Sequence, residues 1–340
     1  MHLTYELRSL RLLHPFILSD SRIDSKDVII IRIEHEDVTG IGESSPSRYY
    51  GEPPESVLAC LAEAGKVLSG FADPFAVGEI MHTLSGLFPH NASARSGIDM
   101  ALHDWIGKKL QKPLYKYFGL DKSGTPMTSF TIGIDEPEVV EQKIHEADAY
   151  PILKIKLGAG DRDYDIIKAI RKVTTKKLRI DVNEGWTRDE AAKKINWLAG
   201  QGVELIEQPL PKENTDDMIW LKQRSALPLF ADESVKTESD IPLLKESFQG
   251  INIKLDKCGG LGEAMRMIKT ARANGLKTMI GCMIQTVIGT TAAGHISPLI
   301  DYADLDGHLL VDDRAYSGME IKNGKIILID RPGIGILEKV

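Results

Sequence analysis

Five ionisable side chains recur at regular intervals along the middle of the chain, each at the end of a short apolar run. Asp181, Glu207 and Asp232 are separated by 26 and 25 residues. Lys156 precedes this series by 25 residues, and Lys254 follows it by 22. These intervals match one strand-helix unit, so a parallel barrel would bring all five side chains to its catalytic rim. Three carboxylates at that rim would form the oxygen-rich type of site that suits Mg²⁺.

The two-residue period of a strand strengthens this reading. Lys154 and Lys156 are two residues apart, so both point to the same side of their strand. The same spacing recurs in Asp181/Asn183 and Asp304/Asp306. Charged side chains that point into a barrel are costly unless they are paired, metal-bound or functional. One or two of them could be salt bridges at the rim, but five at matching strand ends favour a functional site.

Eight short apolar runs follow one another between residues 125 and 308. The runs are SFTIGI, ILKIKL, LRIDVN, VELIEQP, LPLFADES, INIKLDK, KTMIGC and YADLDG. Helical stretches such as DYDIIKAIRKV and RDEAAKKINWLAGQG lie between consecutive runs. Strands that alternate with helices pair in parallel through right-handed crossovers. Eight such units in about 180 residues predict a TIM-type barrel rather than an open sheet.

The two ends of the chain differ from this pattern. Residues 2–12 and 28–34 have strand character, which TGIGESSP continues. From about Glu55 to Phe118 the pattern is helical, with Asn91 or Ser93 as the N-cap of a tightly packed helix rich in small residues. Near the C-terminus, Asn323-Gly324 predicts a hairpin turn. We therefore predict an α/β protein, a (β/α)7β TIM-type barrel with an α+β capping domain. The predicted limits are 1–122 for the first part of the capping domain, 123–308 for the barrel, and 309–340 for a segment that returns to the capping domain.

Composition argues against several classes of protein. The 340 residues carry a net charge of -7, so no basic face is offered to nucleic acid or to an anionic membrane. No apolar run approaches the ~20 residues of a membrane span. Three scattered cysteines, Cys60, Cys258 and Cys282, are too few for a disulfide framework and predict reduced thiols in a cytoplasmic protein. A small-molecule substrate is expected, with no nucleic-acid or membrane partner.

The motifs resemble those of the enolase superfamily, in its muconate-lactonizing-enzyme subgroup, and within it the dipeptide epimerases, which include enzymes for L-Ala-D/L-Glu. The resemblance extends over essentially the whole chain. It rests on LKIKLG, RIDVNEGW, IEQPLP, FADES and INIKLDKCGG, which are specific only in combination. It implies a (β/α)7β barrel whose mouth is covered by loops of the capping domain. Members of this family commonly form multimers, so the resemblance is compatible with a homo-oligomer.

The resemblance assigns a role to each matching position. The implied Mg²⁺ ligands are Asp181, Glu207 and Asp232. Lys156 and Lys254 are implied to be an acid/base pair on opposite faces of the substrate. Lys254 is preferred over Lys257 because it falls at the strand end. Lys154 is implied to assist the substrate carboxylate and to lower the pKa of its neighbour.

Further positions extend the implied site. Asp304 and Asp306 match a D-x-D pair that in dipeptide epimerases holds the α-ammonium of the substrate, a charge-assisted contact. A helix cap or a turn is the alternative role for these aspartates. Thr131 matches a residue that lines the same site. Asn183 and Glu233 are implied to lie next to the metal ligands.

The implied chemistry explains these residue types. A proton next to a carboxylate is too weak an acid for lysine alone, so Mg²⁺ and a neighbouring lysine must stabilise the charge of the enediolate. Returning the proton on the other face inverts the carbon, which requires two flanking lysines, one neutral and one protonated. Free lysine has a pKa of about 10.4, and cationic neighbours lower it. The implied reaction is a 1,1-proton transfer at the C-terminal residue of a dipeptide.

Two other functions use the same scaffold. A lyase or cycloisomerase of the o-succinylbenzoate synthase type needs the metal and the lysines, but its substrate has no ammonium for Asp304 and Asp306. A non-catalytic binding protein would not be expected to keep all five charged residues.

Two loops of the capping domain are candidates for selecting the substrate side chain. Family members that act on Ala-Glu-type dipeptides place an arginine in the first loop. Arg22 is available there, but it could equally pair with Asp20 or Asp24. In the second loop, Tyr49 or Tyr50 could lie over the substrate or could serve packing only. The sequence therefore leaves open whether the substrate dipeptide contains glutamate, an apolar residue or proline.

Overall fold

Three antiparallel strands open the chain and form one sheet. The computed structural model describes residues 1–17 and 22–339, apart from the side chains of residues 16, 17, 22, 137 and 138. The strands are β1 (His2–Ile17), β2 (Arg22–His35) and β3 (Val38–Ser44), with β2 in the centre. Alternate residues of β2 enter two different cores. Ile29, Ile31 and Ile33 pack inside the N-terminal domain, whereas Val28 and Ile30 join the larger core shared with the barrel.

Four helices follow this sheet: α1 (Pro54–Ser69), α2 (Val77–Leu87), α3 (Ala92–Lys109) and α4 (Leu114–Tyr117). The backbone of α3 lies directly against β3. A Cβ built on Gly42 would fall 2.0 Å from the Gly97 carbonyl oxygen, and one built on Gly40 would fall 2.0 Å from that of Ala101. Glycine is therefore required at this contact, and the tightly packed helix predicted from small residues is confirmed.

The N-terminus of α3 corrects one expectation. Asn91 is the N-cap residue, but its side chain makes no capping hydrogen bond and instead accepts one from the Ser56 hydroxyl at 2.8 Å. The Glu52 carboxylate accepts hydrogen bonds from the backbone N–H groups of Ala92 (2.9 Å) and Ser93 (2.8 Å). Ser93 lies inside the helix, so its prediction as the cap was wrong. A carboxylate at this position also interacts favourably with the positive end of the helix dipole.

Eight parallel strands form the second sheet, in the order of the chain. They are β4 (Phe130–Ile132), β5 (Ile152–Lys156), β6 (Lys177–Asp181), β7 (Val203–Glu207), β8 (Leu229–Ala231), β9 (Gly250–Lys254), β10 (Lys277–Gly281) and β11 (Tyr302–Asp304). A parallel bridge between Thr128 and Ala303 joins the segment before β4 to β11. The sheet thus closes into the predicted barrel, and each predicted run overlaps one strand.

Helices connect these strands on the outside of the barrel. They are α5 (Pro137–Glu146), α6 (Arg162–Val173), α7 (Arg188–Leu198), α8 (Thr215–Lys222), α9 (Ile241–Leu244), α10 (Leu255–Cys258), α11 (Leu261–Ala273) and α12 (Val287–Ile296). Local sequence fixes some of their ends. Thr187 and Glu190 form a reciprocal capping box at the start of α7. Among the helices of the described chain, none combines the length and the apolar character needed to cross a membrane.

The C-terminal segment contacts both parts of the molecule. It contains two antiparallel pairs, β12 (Tyr316–Ser317) with β15 (Leu337–Glu338) and β13 (Glu320–Lys322) with β14 (Lys325–Ile327). Asn323 and Gly324 both have positive φ, 51° and 75°, which confirms the predicted turn. The Leu13 N–H donates to the Leu310 carbonyl at 2.9 Å, which ties the segment to β1. The hairpin itself contacts the barrel, because the Thr128 N–H donates to the Gly324 carbonyl at 2.8 Å. The predicted domain limits stay a prediction.

Candidate active site

Three carboxylates meet at the carboxyl ends of neighbouring barrel strands. Asp181 ends β6, Glu207 ends β7, and Asp232 directly follows β8. Asp181 and Glu207 are partners in the strand register. One oxygen from each of the three carboxylates lies within 4.8 Å of the others, and all three side chains are buried. The predicted convergence of these residues is confirmed, because parallel strands place equivalent ends at one rim.

Lys154 lies in the centre of this acidic cluster. Its Nζ is 2.9 Å from Asp181 Oδ2, 2.8 Å from Glu207 Oε2 and 2.7 Å from Asp304 Oδ2. Burial lowers the pKa of Lys154, but Asp181, Asp304 and Glu207 outweigh it and raise that pKa well above its ordinary value. The three carboxylates therefore favour the charged form of Lys154, which partly offsets their own negative charge.

Two further lysines face each other across the barrel. Lys156, at the end of β5, donates to Asp181 Oδ2 at 2.7 Å and to Asn183 Oδ1 at 2.8 Å. Lys254, at the end of β9, donates to Asp232 Oδ2 at 2.8 Å. β5 and β9 are the second and sixth of eight strands, so they lie on opposite sides of the closed sheet. A group held between them would have one amine on each face.

The charge balance of the three carboxylates is uneven. Burial raises the pKa of Asp181, but Lys154 and Lys156 bring it down to about 2. For Glu207, burial and then the charge of Asp181 raise the pKa to about 7. Glu207 Oε2 has no hydrogen-bond partner among the described residues, although Lys154 Nζ is close. A buried oxygen that lacks a hydrogen bond, beside two like charges, fits a divalent cation bound by oxygen ligands.

Asn183 and Glu233 extend the cluster on the side of Lys156. The Asn183 amide donates to Glu233 Oε1 at 2.9 Å, and its backbone N–H donates to Asp181 Oδ1 at 3.1 Å. Burial, followed by the charges of Asp232 and Asp181, raises the pKa of Glu233 to about 8. Asn183 has a left-handed backbone, with φ of 46°, which turns its side chain back toward Lys156.

The D-x-D pair lies beside the same cluster. Asp304 accepts hydrogen bonds from Lys154 and from Ser129 Oγ, both at 2.7 Å, and Asp306 accepts one from the Thr131 N–H. Burial and the charge of Asp304 raise the pKa of Asp306 to about 7. Asp306 precedes a short helical turn, but its side chain makes no capping bond there. The capping alternative is therefore wrong for Asp306, whose carboxylate faces the site.

A cavity of about 300 Å³ connects these groups. Both lysines of the facing pair line it, as do Asp304, Asp306 and Thr131. From the N-terminal domain, its lining includes Ile23, Lys26, Tyr49 and Tyr50. Both tyrosines thus border the cavity, which is one of the two placements that the sequence left open. The side chain of Arg22 falls outside the described residues.

Tyr49 also joins the second capping loop to the barrel. Its hydroxyl donates to the Glu184 carboxylate and accepts a hydrogen bond from Lys212 Nζ at 2.9 Å. The Lys212 backbone N–H donates to Glu184 Oε1 at 2.6 Å, which completes a three-residue link. This link holds the loop, and with it Tyr50, over the cavity.

Lys257, the alternative to Lys254 in the sequence, is also a neighbour of the site. It lies on α10 and is buried, and it donates to both the carboxylate and the backbone carbonyl of Asp232. Lys254 lines the cavity and Lys257 does not. The preference for Lys254 at the strand end is thus consistent with the structure, and Lys257 supports Asp232 from behind.

Comparison with known proteins identifies relatives over the whole chain. The family model described as "Mandelate racemase / muconate lactonizing enzyme, N-terminal domain" matches residues 3–119. The model described as "Enolase C-terminal domain-like" matches residues 138–337. The L-Ala-D/L-Glu epimerase of Bacteroides thetaiotaomicron is 45% identical over 341 aligned residues, which cover 99% of this chain and 88% of that protein.

Solved structures agree with this sequence similarity. The dipeptide epimerase of Enterococcus faecalis, complexed with Mg and L-Leu-L-Tyr, superposes with a TM-score of 0.93 at 31% identity, covering 98% of each chain. The substrate-liganded L-Ala-D/L-Glu epimerase of Bacillus subtilis gives a TM-score of 0.94 at 29% identity, covering 99% of this chain and 98% of that one. The predicted fold class is confirmed.

Proposed function

The chain belongs to the mandelate racemase/muconate lactonizing enzyme family of the enolase superfamily, and from that premise we propose that it is a Mg²⁺-dependent isomerase, an epimerase of dipeptides. The observation that carries this proposal is the pair Lys156 and Lys254 on opposite sides of one cavity, above three converging carboxylates. A reaction that inverts a carbon by moving its proton needs one such group on each face.

The three carboxylates are the residues that would hold the metal ion. Asp181, Glu207 and Asp232 offer oxygen ligands at one point of the rim, next to the charge of Lys154. The ion, when bound, would supply positive charge beside the substrate carboxylate and so stabilise the negative charge that develops there. Lys154 adds an ammonium to the same region, and the surrounding carboxylates favour its charged form.

Proton transfer is the task of the facing lysines. Lys156 takes or returns the α-proton on one face of the substrate carbon, and Lys254 does so on the other. In each direction one amine must begin neutral and the other protonated, and the two exchange these states during turnover. Asn183 holds the Lys156 ammonium through its side-chain oxygen at 2.8 Å, which orients that group toward the cavity.

Asp304 and Asp306 define the other end of the substrate. Both carboxylates line the cavity, and a substrate ammonium there would form charge-assisted hydrogen bonds. This supports a dipeptide with a free N-terminus over the substrates of lyases and cycloisomerases, which carry no ammonium. The C-terminal residue would then present its α-carbon to the lysines.

Deuterium incorporation tests the proposal directly. The purified protein is incubated in D₂O with Mg²⁺ and a library of dipeptides, and mass spectrometry measures exchange at the α-carbon. Polarimetry or chiral chromatography measures inversion. We expect exchange together with inversion at the C-terminal residue of at least one dipeptide. Exchange without inversion would contradict proton transfer on both faces, and binding without exchange would favour a non-catalytic protein.

Two broader expectations accompany this function. Cys60, Cys258 and Cys282 are all free in the structure, which supports our proposal of a reducing, cytoplasmic compartment. Assembly into a homo-oligomer stays a prediction.

A further inference from the structure

A second cavity, of about 400 Å³, lies at the junction of the N-terminal domain and the barrel. α3 contributes Arg95 to its lining, the segment before α3 contributes His90, and the loop after β8 contributes Lys236. The facing lysines of the candidate active site do not line it. The two cavities lie side by side, because three residues line both of them: Ser47, Tyr50 and Met283.

Arg95 is a buried cation of this second cavity, with only 8% of its surface exposed. Its guanidinium donates to the Phe88 carbonyl, and no carboxylate of the described chain forms an ion pair with it. Burial lowers the pKa of Arg95, and the more distant charge of Glu52 acts against that effect. An arginine keeps its proton even so. A desolvated guanidinium whose close partner is a neutral carbonyl would be stabilised by an anion in the adjoining space.

The carboxylates of the same lining compete only weakly for this charge. Glu52 uses both of its oxygens to accept hydrogen bonds from the backbone N–H groups at the start of α3. Asp256 accepts a hydrogen bond from the Ser45 N–H at 2.7 Å, and burial raises the pKa of Asp256 to about 8. At neutral pH most Asp256 side chains are therefore uncharged. The lining as a whole carries more positive than negative charge.

Two further basic side chains border the cavity where it meets solvent. His90 and Lys236 are both exposed. Lys236 forms no ion pair within the described chain, and its Nζ lies 5.4 Å from the centre of the Tyr50 ring. Lys257 also lines the cavity but is already ion-paired. A buried guanidinium offers parallel N–H donors to a phosphate group, and an exposed lysine adds a mobile charge.

We propose that this cavity binds the phosphate group of a small organic molecule, with Arg95 and Lys236 as its cationic partners. A phosphate dianion suits several basic side chains better than a single carboxylate does. The volume exceeds that of a phosphate ion, which leaves space for the organic part of the ligand. Such a ligand would contact α3 on one side and a barrel loop on the other, and would hold the two domains together.

Arg95 has a competing, purely structural role as the donor to Phe88. It also lines a neighbouring groove that contains Arg266, whose guanidinium is paired with Glu263. Lys236 lines the proposed cavity and not that groove. A substitution of Lys236 therefore tests the location of the site, and a substitution of Arg95 tests its main contact.

Isothermal titration calorimetry at constant ionic strength, with Mg²⁺ present, measures the binding of inorganic phosphate, glycerol 3-phosphate and glucose 6-phosphate. Arg95→Gln removes the charge but keeps an N–H that can donate to Phe88. Lys236→Met removes the exposed cation. Lys254→Met, in the candidate active site, and Lys66→Met, on the surface of α1, are the controls. Thermal unfolding without ligand shows whether each variant folds.

We expect at least one organic phosphate to bind the wild type more tightly than inorganic phosphate does. Arg95→Gln should raise its dissociation constant by about 30-fold, as the loss of a charge-assisted hydrogen bond predicts. Lys236→Met should raise it by about threefold, because this cation is exposed. Both controls should bind as the wild type does. The ligand should also raise the melting temperature of the wild type.

Absence of binding by all three phosphates would overturn the proposal, and so would tighter binding of inorganic phosphate than of either organic one. Weaker binding in Lys254→Met would place the phosphate in the active site instead. A folded Arg95→Gln protein of lower melting temperature but unchanged affinity would show the structural role. If Arg95→Gln does not fold, unchanged affinity in Lys236→Met contradicts the site. The calorimetry involves no turnover, so these outcomes are independent of the epimerase proposal.

Discussion

The interior of the N-terminal domain and the mouth of the barrel both bury most of their side chains, but they contain opposite kinds of side chain. The first contains Ile29, Ile31 and Ile33 of β2 against helices, with glycines where backbones touch. The barrel mouth contains Asp181, Glu207 and further charged side chains, each with less than a tenth of its surface exposed. Apolar burial stabilises a fold, whereas buried charge seldom does.

This difference indicates where the effect of a substitution will appear. In the N-terminal domain, stability depends on how closely the side chains and backbones fit together. A substitution there should lower the stability of the protein but leave the activity of its folded fraction unchanged. At the barrel mouth, like charges are held together against their repulsion. A neutral substitution there should remove activity while leaving stability unchanged or higher. The predictions below test that separation.

The largest effect is expected at the barrel mouth. Glu207→Gln keeps the shape of the side chain but removes a charge that burial and Asp181 disfavour. We expect α-proton exchange to fall by at least about 1,000-fold, roughly 4 kcal/mol, with a melting temperature equal to or above that of the wild type. Chelation of Mg²⁺ should stop the wild type, and added Mg²⁺ should restore it. An active Glu207→Gln protein would show that this carboxylate does not hold the metal ion.

Substitution of a packed glycine should have the opposite signature. A Cβ on Gly42 would lie 2.0 Å from the Gly97 carbonyl oxygen, so Gly42→Ala must push α3 away from β3. We expect the free energy of unfolding to fall by about 3 kcal/mol, measured by denaturant titration. Gly86→Ala on α2, where a Cβ would meet nothing within 4 Å, is the matched control and should not destabilise. Equal stability of the two variants would contradict the close backbone contact.

A smaller effect is expected at the D-x-D pair. Asp306→Asn preserves shape and removes a carboxylate proposed to bind the substrate ammonium. Its kcat/KM for L-Ala-L-Glu should fall by about 30-fold, the value of one charge-assisted hydrogen bond. Propionyl-L-Glu lacks only that ammonium, so we expect it to be a poor substrate of the wild type. Its kcat/KM should therefore change little in Asp306→Asn. A parallel loss on both compounds would assign Asp306 a structural role.

The smallest effect concerns the junction of the two regions. Glu43 on β3 is buried and accepts hydrogen bonds from the Thr286 N–H (2.7 Å), the Thr286 hydroxyl (2.8 Å) and the Gly289 N–H (2.8 Å). Burial raises its pKa from 4.5 to about 7 against these bonds. Folded Glu43 therefore keeps its proton to a higher pH than the unfolded chain does, and wild-type stability declines as the pH rises between these values.

Glu43→Gln cannot titrate and should lack that decline. Compared with the wild type, the variant should gain stability between pH 5 and pH 8, by an amount on the order of 1 kcal/mol. Denaturant titrations of both proteins across this range measure the difference. A difference that stays constant, or that grows in favour of the wild type, would contradict the raised pKa.

Periodic features of the sequence predicted the barrel and the centre of its site. The charged residues follow the apolar runs at intervals of 22 to 26 residues, which is a local signal of one strand-helix unit. The turn at Asn323-Gly324 was also predictable, because its backbone conformation depends on the two residues themselves. Such features need no knowledge of distant contacts.

Contacts between distant segments were not predictable in this way. Glu52 caps α3 from 40 residues away, and Ser129 donates to Asp304 across 175 residues. Lys257 reaches Asp232 only because a helical turn follows β9 directly, which the pattern of apolar runs does not specify. These partners depend on how loops and helix ends meet in three dimensions.

The central claim is that Lys156 and Lys254 act on opposite faces of one carbon, and isotope exchange in the two alanine variants tests it most directly. Each variant is incubated in D₂O with either epimer of a reactive dipeptide, and α-deuterium is measured over time. We expect both variants to lose epimerisation, with Lys156→Ala retaining exchange from one epimer only and Lys254→Ala from the other. Interconversion of epimers at near wild-type rate in either variant, or exchange from the same epimer in both, would contradict the account.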